Sequence, residues 1–177
     1  MKHRLNFKNL ECCIVDDESF IQKIIKSILV SLDVKDIRLA SDGAEGYKLL
    51  QAKPTDLIFI DWTMEPMSGI ELLEKIRSSD EPEIAETPVI MLTAHSEQEY
   101  VKKAIVAGAN DYLVKPVSPL LLRQRIEGIF KKQLPLSVKT GRARAKPKGI
   151  SAPPGIKPKK KEDITEDDFF EICIEGE

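Results

Sequence analysis

Five polar side chains of types that can take part in catalysis or metal binding follow short apolar runs in this sequence. They are Asp16 and Asp17 after residues 12–15, Asp61 after residues 57–60, Thr93 after residues 89–92, and Lys115 after residues 112–114. If the runs are parallel strands, their carboxyl ends meet at one edge of a sheet, with neighbouring strands about 5 Å apart. The spacing therefore predicts that three carboxylates, a hydroxyl and an ammonium share one site.

Three carboxylates this close repel one another and raise each other's pKa unless a cation lies among them. A ligand set of oxygens without histidine or cysteine favours Mg²⁺, which commonly shares its coordination shell with a phosphate. An aspartate can act as a nucleophile toward phosphorus, while a lysine and a threonine stabilise the phosphoryl oxygens. The residue types therefore point to Mg²⁺-dependent phosphoryl chemistry on an aspartate.

The elements that would position these groups alternate regularly between residues 12 and 130. Predicted strands cover 12–15, 37–40, 57–60, 89–92 and 112–114, and predicted helices cover 20–32, 44–52, 69–78, 97–107 and 119–132. Expected helix caps are Asp42 or Gly43, Ser68, Ser96 and Ser118, and Gly108 stands just past a helix end. The periodicity of the first helix places Gln22, Lys23 and Lys26 in water. This alternation is typical of a doubly wound α/β domain with a five-stranded parallel sheet and five helices.

Five separated motifs in this order resemble the receiver domain of two-component response regulators. The motifs are Asp16-Asp17, Asp61-Trp62-Thr63-Met64 leading to Met67-Ser68-Gly69, Thr93-Ala94, and Asp111-Tyr112-Leu113-Val114-Lys115-Pro116. The resemblance covers about residues 10 to 132. It is compatible with a phosphorelay shuttle, a phosphate sink, or a regulator that docks a target in the manner of the chemotaxis response regulators. It implies a flavodoxin-like strand order of 2-1-3-4-5 and a cis Lys115-Pro116 peptide.

The resemblance also implies roles for the site residues. A sensor histidine kinase or a histidine phosphotransfer protein would pass a phosphoryl group to Asp61, and Lys115 would pair with the phosphoryl oxygens. Mg²⁺ would be held by Asp17, Asp61 and the backbone carbonyl of Thr63, with Asp16 acting partly through water.

The family's conformational switch falls on two residues of this chain. Thr93 would swing toward the phosphoryl group and Tyr112 would turn inward, which reshapes the face of the fourth long helix, the fifth strand and the last helix. Enzymatic activity would be limited to self-phosphorylation from small donors and autodephosphorylation, and dimerisation on phosphorylation is left open.

Two stretches depart from the family pattern. The proline that commonly stands four residues after the phosphoacceptor is replaced by Glu65, and Pro66 follows it. Glu65 is close enough in sequence to add negative charge beside the site. The stretch from Ser79 to Thr87 is longer than usual, and we expect a surface loop away from the chemistry.

Composition predicts a single domain and an unusual distribution of charge. Of 177 residues, 42% are hydrophobic, enough for one domain of about 100–150 residues plus a remainder. Residues 1–130 hold 16 basic and 21 acidic side chains, residues 131–161 hold 11 and none, and residues 162–177 hold none and 8. No apolar run could cross a bilayer or act as a signal segment, and the three cysteines fit neither a zinc site nor a disulfide framework, so we expect a cytoplasmic protein.

The chain therefore divides into a receiver domain at 1–132, a basic linker containing proline and glycine at 133–161, and an acidic-apolar segment at 162–177. The last segment has apolar residues at nearly every other position, including Phe169 and Phe170. It is either a docking peptide for another protein or a lid that folds back onto the domain.

The favoured function is a stand-alone response regulator that is phosphorylated on Asp61 and acts on a protein target. Two alternatives remain: an aspartate-nucleophile phosphatase or phosphotransferase acting on small molecules, and a nucleic-acid adaptor that binds through its basic linker. The linker lacks interleaved aromatic residues, and the body is acidic, which disfavours nucleic acid. Taken singly, the aspartates could also be helix caps.

Overall fold

The computed structural model describes residues 5–94 and 98–133, and it contains a five-stranded parallel sheet of order β2-β1-β3-β4-β5. The strands are β1 (Glu11–Val15), β2 (Asp36–Ala40), β3 (Leu57–Asp61), β4 (Val89–Thr93) and β5 (Asp111–Val114). The helices are α1 (Ser19–Ser31), α2 (Gly43–Ala52), α3 (Gly69–Arg77), α4 (Pro82–Ala85), α5 (Gln98–Ala107) and α6 (Pro119–Gln133), and a short 3₁₀ turn covers Phe7–Asn9. The predicted fold and strand order are confirmed.

Apolar side chains alternate between two cores because successive residues of a strand point to opposite faces of the sheet. In β1, Cys12 and Ile14 pack with α1 and α6, whereas Cys13 and Val15 pack with α2, α3 and α5. In β3, nearly every side chain is fully buried between these helical layers. The continuous apolar runs of the sequence are thus explained by a sheet that is covered on both faces.

Three of the predicted helix N-caps and the predicted glycine after α5 are present in the structure. The Asp42 side chain accepts a hydrogen bond from Glu45 N at 2.8 Å, and Ser68 forms a capping box with Glu71 at the start of α3. The Ser118 hydroxyl accepts from Leu121 N at 3.2 Å. Gly108 has φ +95°, which confirms it as the left-handed residue after α5. The cap predicted at residue 96, and residues 134–177 with the predicted linker and terminal segment, lie outside the described residues.

The stretch predicted as a surface loop differs from that expectation. Residues 82–85 form the short helix α4, in which Pro82 takes the first turn and Ile84 is buried. Pro82 suits a first helical turn because its missing N–H needs no partner there. The burial of a single isoleucine therefore anchors a helix where proline and acidic residues suggested a loop.

Arg77 fixes this helix and the end of α5 to the body of the domain. Its guanidinium donates hydrogen bonds to the carbonyl oxygens of Ala85, Thr87 and Gly108, each at 2.9 Å, and to Asn110 Oδ1 at 2.8 Å. All of these acceptors lie near the amino ends of β4 and β5, the sheet edge opposite the carboxyl ends of the strands. One side chain therefore provides hydrogen-bond donors for backbone carbonyls in the connections that precede β4 and β5. These contacts lie at the sheet edge opposite the predicted site.

None of the described helices combines the length and the apolar composition that crossing a bilayer requires.

Candidate functional site at the carboxyl edge of the sheet

The structure brings the predicted residues together at the carboxyl edge of the sheet. Asp16 directly follows β1, Asp61 and Thr93 are the last residues of β3 and β4, and Lys115 directly follows β5. Asp16, Asp61 and Thr93 are buried, and the Lys115 side chain is 12% exposed. Asp17 is exposed, so the group has a buried floor and one acid that faces solvent.

Backbone hydrogen bonds extend the sheet ladder past the strand ends and hold these residues in place. Asp16 N donates to Ala40 O at 3.2 Å, and Lys115 N donates to Thr93 O at 2.7 Å. The amide of Gln22 donates to both Asp16 O at 2.7 Å and Ala40 O at 2.8 Å. The prediction that Gln22 faces water is therefore wrong: this side chain of α1 is half-buried and ties the helix to the edge of the sheet.

Lys115 is the centre of the group. Its Nζ lies 2.7 Å from Asp61 Oδ1 and 2.9 Å from Asp16 Oδ2, and a weaker contact joins it to Glu18 Oε1 at 3.7 Å. The Lys115-Pro116 peptide is cis, as the family resemblance implied. One ammonium therefore serves two buried carboxylates, and Glu18 is a contact that the motifs did not predict.

The remaining carboxylate oxygens are fixed by backbone amides. Glu18 N donates to Asp16 Oδ1 at 2.9 Å, and Thr63 N donates to Asp61 Oδ2 at 3.2 Å. Each hydrogen bond favours the ionised form of its carboxylate. These bonds orient both acids without neutralising them.

Burial and charge oppose each other at the buried acids. Burial raises the pKa of both Asp61 and Asp16 above the ordinary value, although the hydrogen bonds from Lys115 lower it in part. Burial also acts to lower the pKa of Lys115, but its hydrogen bonds to the two acids outweigh burial and raise it. These pKa shifts are expected where two carboxylates share one positive charge. Binding of a further proton or cation at this group is therefore favourable.

The carboxylates fit a small divalent cation. One oxygen from each of Asp16, Asp17 and Asp61 lies within 4.8 Å of the others. Two ligands on opposite sides of an octahedral Mg²⁺ ion are about 4.2 Å apart, since each bond is about 2.1 Å. The all-oxygen donor set therefore suits Mg²⁺, and its spread is close to that of one coordination shell, whereas the predicted fourth ligand, the Thr63 carbonyl, stays a prediction.

Glu65, which departs from the family pattern, is exposed and is not one of the three acids grouped within 4.8 Å. The Glu65-Pro66 peptide is cis. Beyond it, Gly69 lies so close to β3 that a Cβ atom there would stand 2.0 Å from the Asp61 carbonyl oxygen. Gly69, the first residue of α3, therefore packs directly against the backbone of Asp61.

The two residues predicted as the switch lie on neighbouring strands. Thr93 is paired with Val114 in the sheet and is buried, and Tyr112 of the edge strand β5 is half-buried against the core of α2, α3 and α5. Trp62, next to Asp61, contacts Tyr100 of α5 edge to face, with ring centroids 5.2 Å apart. This aromatic contact joins the site to α5 and was missed, because the two residues are 38 positions apart and no motif links them.

Comparison with known proteins agrees with this geometry. Residues 12–127 match the response regulator receiver domain family. The chain is 35% identical over 125 residues to chemotaxis protein CheY-3 of Vibrio cholerae, covering 71% of this chain and 95% of that protein. It is also 35% identical over 122 residues to chemotaxis protein CheY1 of Helicobacter pylori, covering 68% and 97%.

Solved structures give the same result at the level of the fold. The receiver domain of the Francisella response regulator 1452 superimposes with a TM-score of 0.64 at 32% identity, covering 71% of this chain and all of that chain. Vibrio cholerae chemotaxis protein CheY4 gives 0.63 at 27% identity, covering 68% and 98%. With the family match spanning more than half of its residues, this chain belongs to the response regulator receiver domain family.

Proposed function

We propose that Asp61 accepts a phosphoryl group from a phosphohistidine of a sensor histidine kinase or a histidine phosphotransfer protein in a Mg²⁺-dependent reaction. The observation that carries the proposal is the position of Lys115, whose ammonium lies within 3 Å of both Asp61 and Asp16 in a buried site. An acid used only as a helix cap needs no buried ammonium at its carboxylate.

The transfer is a displacement at phosphorus. An oxygen of the Asp61 carboxylate attacks the phosphorus atom, the bond from phosphorus to the donor nitrogen breaks, and its electron pair stays on the imidazole, which takes up a proton. The product is an aspartyl phosphate. Lys115 stabilises the negative charge on the phosphoryl oxygens, and the Thr93 hydroxyl donates to one of them.

Asp16, Asp17, Asp61 and the Thr63 carbonyl are the proposed metal ligands. The bound ion would supply charge neutralisation for the phosphoryl oxygens. Asp17 is the exposed member of the group and therefore leaves the metal accessible from solvent, whereas Asp16 is held in place by Glu18 N and Lys115.

The signal would pass from the site to the face formed by α5, β5 and α6. Once its hydroxyl turns toward the phosphoryl group, Thr93 leaves space at the end of β4, and Tyr112 on the adjacent strand moves inward. The Trp62–Tyr100 contact provides a second connection from the site to α5. Two of the relatives are named as chemotaxis proteins, which supports a cytoplasmic signalling role in which this face binds a protein target.

Intact-mass spectrometry of the full chain with acetyl phosphate and Mg²⁺ tests the proposal. We expect one added phosphoryl group, lost in Asp61→Asn and in the presence of a chelator. Asp80→Asn is the matched control, because Asp80 is an exposed aspartate in the loop after α3, and it should be modified like the wild type. Uptake by Asp61→Asn equal to the wild type would refute the assignment. Sustained turnover of a panel of phosphate esters would instead support the small-molecule phosphatase.

A further inference from the structure

The outer face of α1 combines exposed apolar and basic side chains. We use "outer face of α1" for Phe20, Lys23, Lys26, Ser27, Val30 and Ser31, all of which are exposed. Phe20 is 69% exposed and Val30 is 54% exposed, although most large apolar side chains of the described residues are buried. Large exposed apolar groups on one helix face commonly mark a binding surface.

The charge of this face is opposite to that of the domain. Helix α1 contains two lysines and no acidic residue, whereas residues 1–130 carry five more acidic than basic side chains. No ion pair in the described part of the chain involves Lys23 or Lys26, which stand between Phe20 and Val30 on the helix surface. A ligand for this face should therefore be acidic and should carry apolar side chains.

Residues 162–177 of the same chain have this composition. They contain eight acidic and no basic residues, and their apolar side chains include Phe169, Phe170, Ile172 and Ile174. No other stretch of the sequence outside the described residues combines acidic and aromatic side chains. Charge complementarity and apolar content therefore select this segment as the occupant.

The connection is long enough for the segment to reach α1. Residues 134–161 provide 28 residues between the end of α6 and the segment. A flexible chain of this length has a root-mean-square span of about 30 Å, and α1, with 13 residues, is about 20 Å long. Because α6 packs in the same core as α1, the described part of the chain ends at Gln133 on the side of the sheet that carries the outer face of α1.

We propose that residues 162–177 bind in cis to the outer face of α1, with their aromatic side chains against Phe20 and Val30 and their acidic side chains beside Lys23 and Lys26. This contact goes beyond the proposed phosphoryl transfer. Phe20 follows Asp17 by only three residues, so the bound segment would begin near the carboxyl edge of the sheet.

Cysteine trapping in the full chain tests the contact, since Cys173 lies within the segment. Cys12 and Cys13 are fully buried and would not compete for a disulfide. Ser27→Cys places a thiol on the outer face of α1, and Ser78→Cys places one at the exposed end of α3, on the other side of the sheet. With oxidised glutathione as the oxidant, we expect the intramolecular disulfide to form about tenfold faster in Ser27→Cys, because binding raises the effective concentration above that of a free tether.

The charges are tested by adding Lys23→Glu and Lys26→Glu to Ser27→Cys. Both positions are exposed, so the fold should be unchanged by circular dichroism, while the disulfide rate should fall to that of Ser78→Cys. Raising the salt to about 1 M, where the Debye length is about 3 Å, should act in the same direction.

Two results would overturn the proposal. Equal rates in Ser27→Cys and Ser78→Cys would mean that the segment does not select α1, for example because it pairs with the basic linker. Disulfide-linked dimers in place of the intramolecular product would mean that the segment binds a second copy. Neither result depends on phosphorylation of Asp61, so failure of this proposal is separable from failure of the proposed function.

Discussion

Replacing Asp61 with asparagine should stabilise the fold in the absence of metal, although it removes the proposed phosphoacceptor. The substitution keeps the shape of the side chain and removes one negative charge. It leaves Lys115 paired with Asp16 alone, so the buried group becomes neutral. An acid that serves a reaction at the expense of folding should behave in this way: its removal raises stability and abolishes the reaction.

The magnitude follows from the distances. At an effective dielectric constant of 20, the 2.7 Å contact between Asp61 and Lys115 is worth about 6 kcal/mol, and repulsion from Asp16 at no more than 4.8 Å is worth at least about 3.5 kcal/mol. Asp17 is exposed and adds about 1 kcal/mol of repulsion. The remaining attraction of about 1–2 kcal/mol is smaller than the several kcal/mol that desolvation of one ion costs. We therefore expect Asp61→Asn to raise the free energy of unfolding by about 1–2 kcal/mol, and the melting temperature by about 3–5 °C for each kcal/mol.

The pH dependence of the free energy of unfolding is a second test of the charge on Asp61. Because the pKa of Asp61 is raised in the folded protein, this carboxyl group holds more of its proton in the folded than in the unfolded state above pH 3.8, the ordinary value. The wild type therefore loses stability as the pH rises through the folded pKa of Asp61. The variant lacks this contribution and keeps only that of Asp16, whose pKa is also raised. The advantage of Asp61→Asn should be present at neutral pH and should disappear as the pH falls below 3.8.

Urea unfolding followed by circular dichroism, with EDTA and then with Mg²⁺, measures these effects. Mg²⁺ at 100 times its Kd would stabilise the wild type by about 2.7 kcal/mol, and the variant less, so the difference should close or reverse. The exposed control Asp80→Asn should change stability by less than about 0.5 kcal/mol. Lys115→Met should destabilise by about 3 kcal/mol in EDTA, because it leaves two buried acids without their cation. Destabilisation by Asp61→Asn in EDTA, or no effect of Lys115→Met, would refute this account of the charges.

Three further predictions concern packing. Arg77→Met should lower the free energy of unfolding by about 3–5 kcal/mol in urea denaturation, because four hydrogen bonds to a half-buried guanidinium are lost together; a loss below about 1 kcal/mol would contradict the role of this residue. Gly69→Ala should destabilise the fold and abolish phosphoryl uptake in the mass assay, because its Cβ would stand 2.0 Å from the Asp61 carbonyl oxygen; normal uptake would show that the backbone there can move freely. Cys12 and Cys13, whose pKa burial raises to about 12, should resist iodoacetamide at pH 8 until urea is added, and peptide mapping that finds them alkylated in the native protein would contradict their burial.

Most of the fold could be predicted because the pattern of apolar residues indicates which segments are buried strands and which are helices. A strand buried on both faces needs a continuous apolar run, and residues 57–60 and 89–92 supply it without ambiguity. Helix α4 could not be predicted, since only Ile84 of its four residues is buried and no periodicity can appear in four residues. Its position depends on Arg77, whose contacts to Ala85 and Thr87 exist only in three dimensions.

The residues of the candidate site could be predicted from the sequence, but several of their contacts could not. Asp16, Asp61 and Lys115 stand at strand ends, and the geometry of a parallel sheet then requires that they meet. Glu18 and Gln22 were not predicted as site neighbours, because both belong to the start of α1 and polar residues there are common for local reasons. Their roles depend on the entry angle of the helix, which the sequence pattern does not determine.

The buried charges at the two edges of the sheet have different kinds of partner. At the amino edge, two arginines are satisfied by neutral oxygens: Arg77 binds three carbonyls, and Arg38 donates to the carbonyls of Leu49, Lys53 and Pro54. Lys53 at the same edge pairs with the carboxylates of Glu11 and Asp36, which are not fully buried. At the carboxyl edge, two buried acids share Lys115, and a net negative charge is left over. A phosphoryl group and a cation can therefore change the energy of the carboxyl edge by several kcal/mol, because charges there are uncompensated. The contacts of Arg77 and Arg38 involve neutral acceptors, so they can hold the connections at the amino edge in place while the other end of the domain responds.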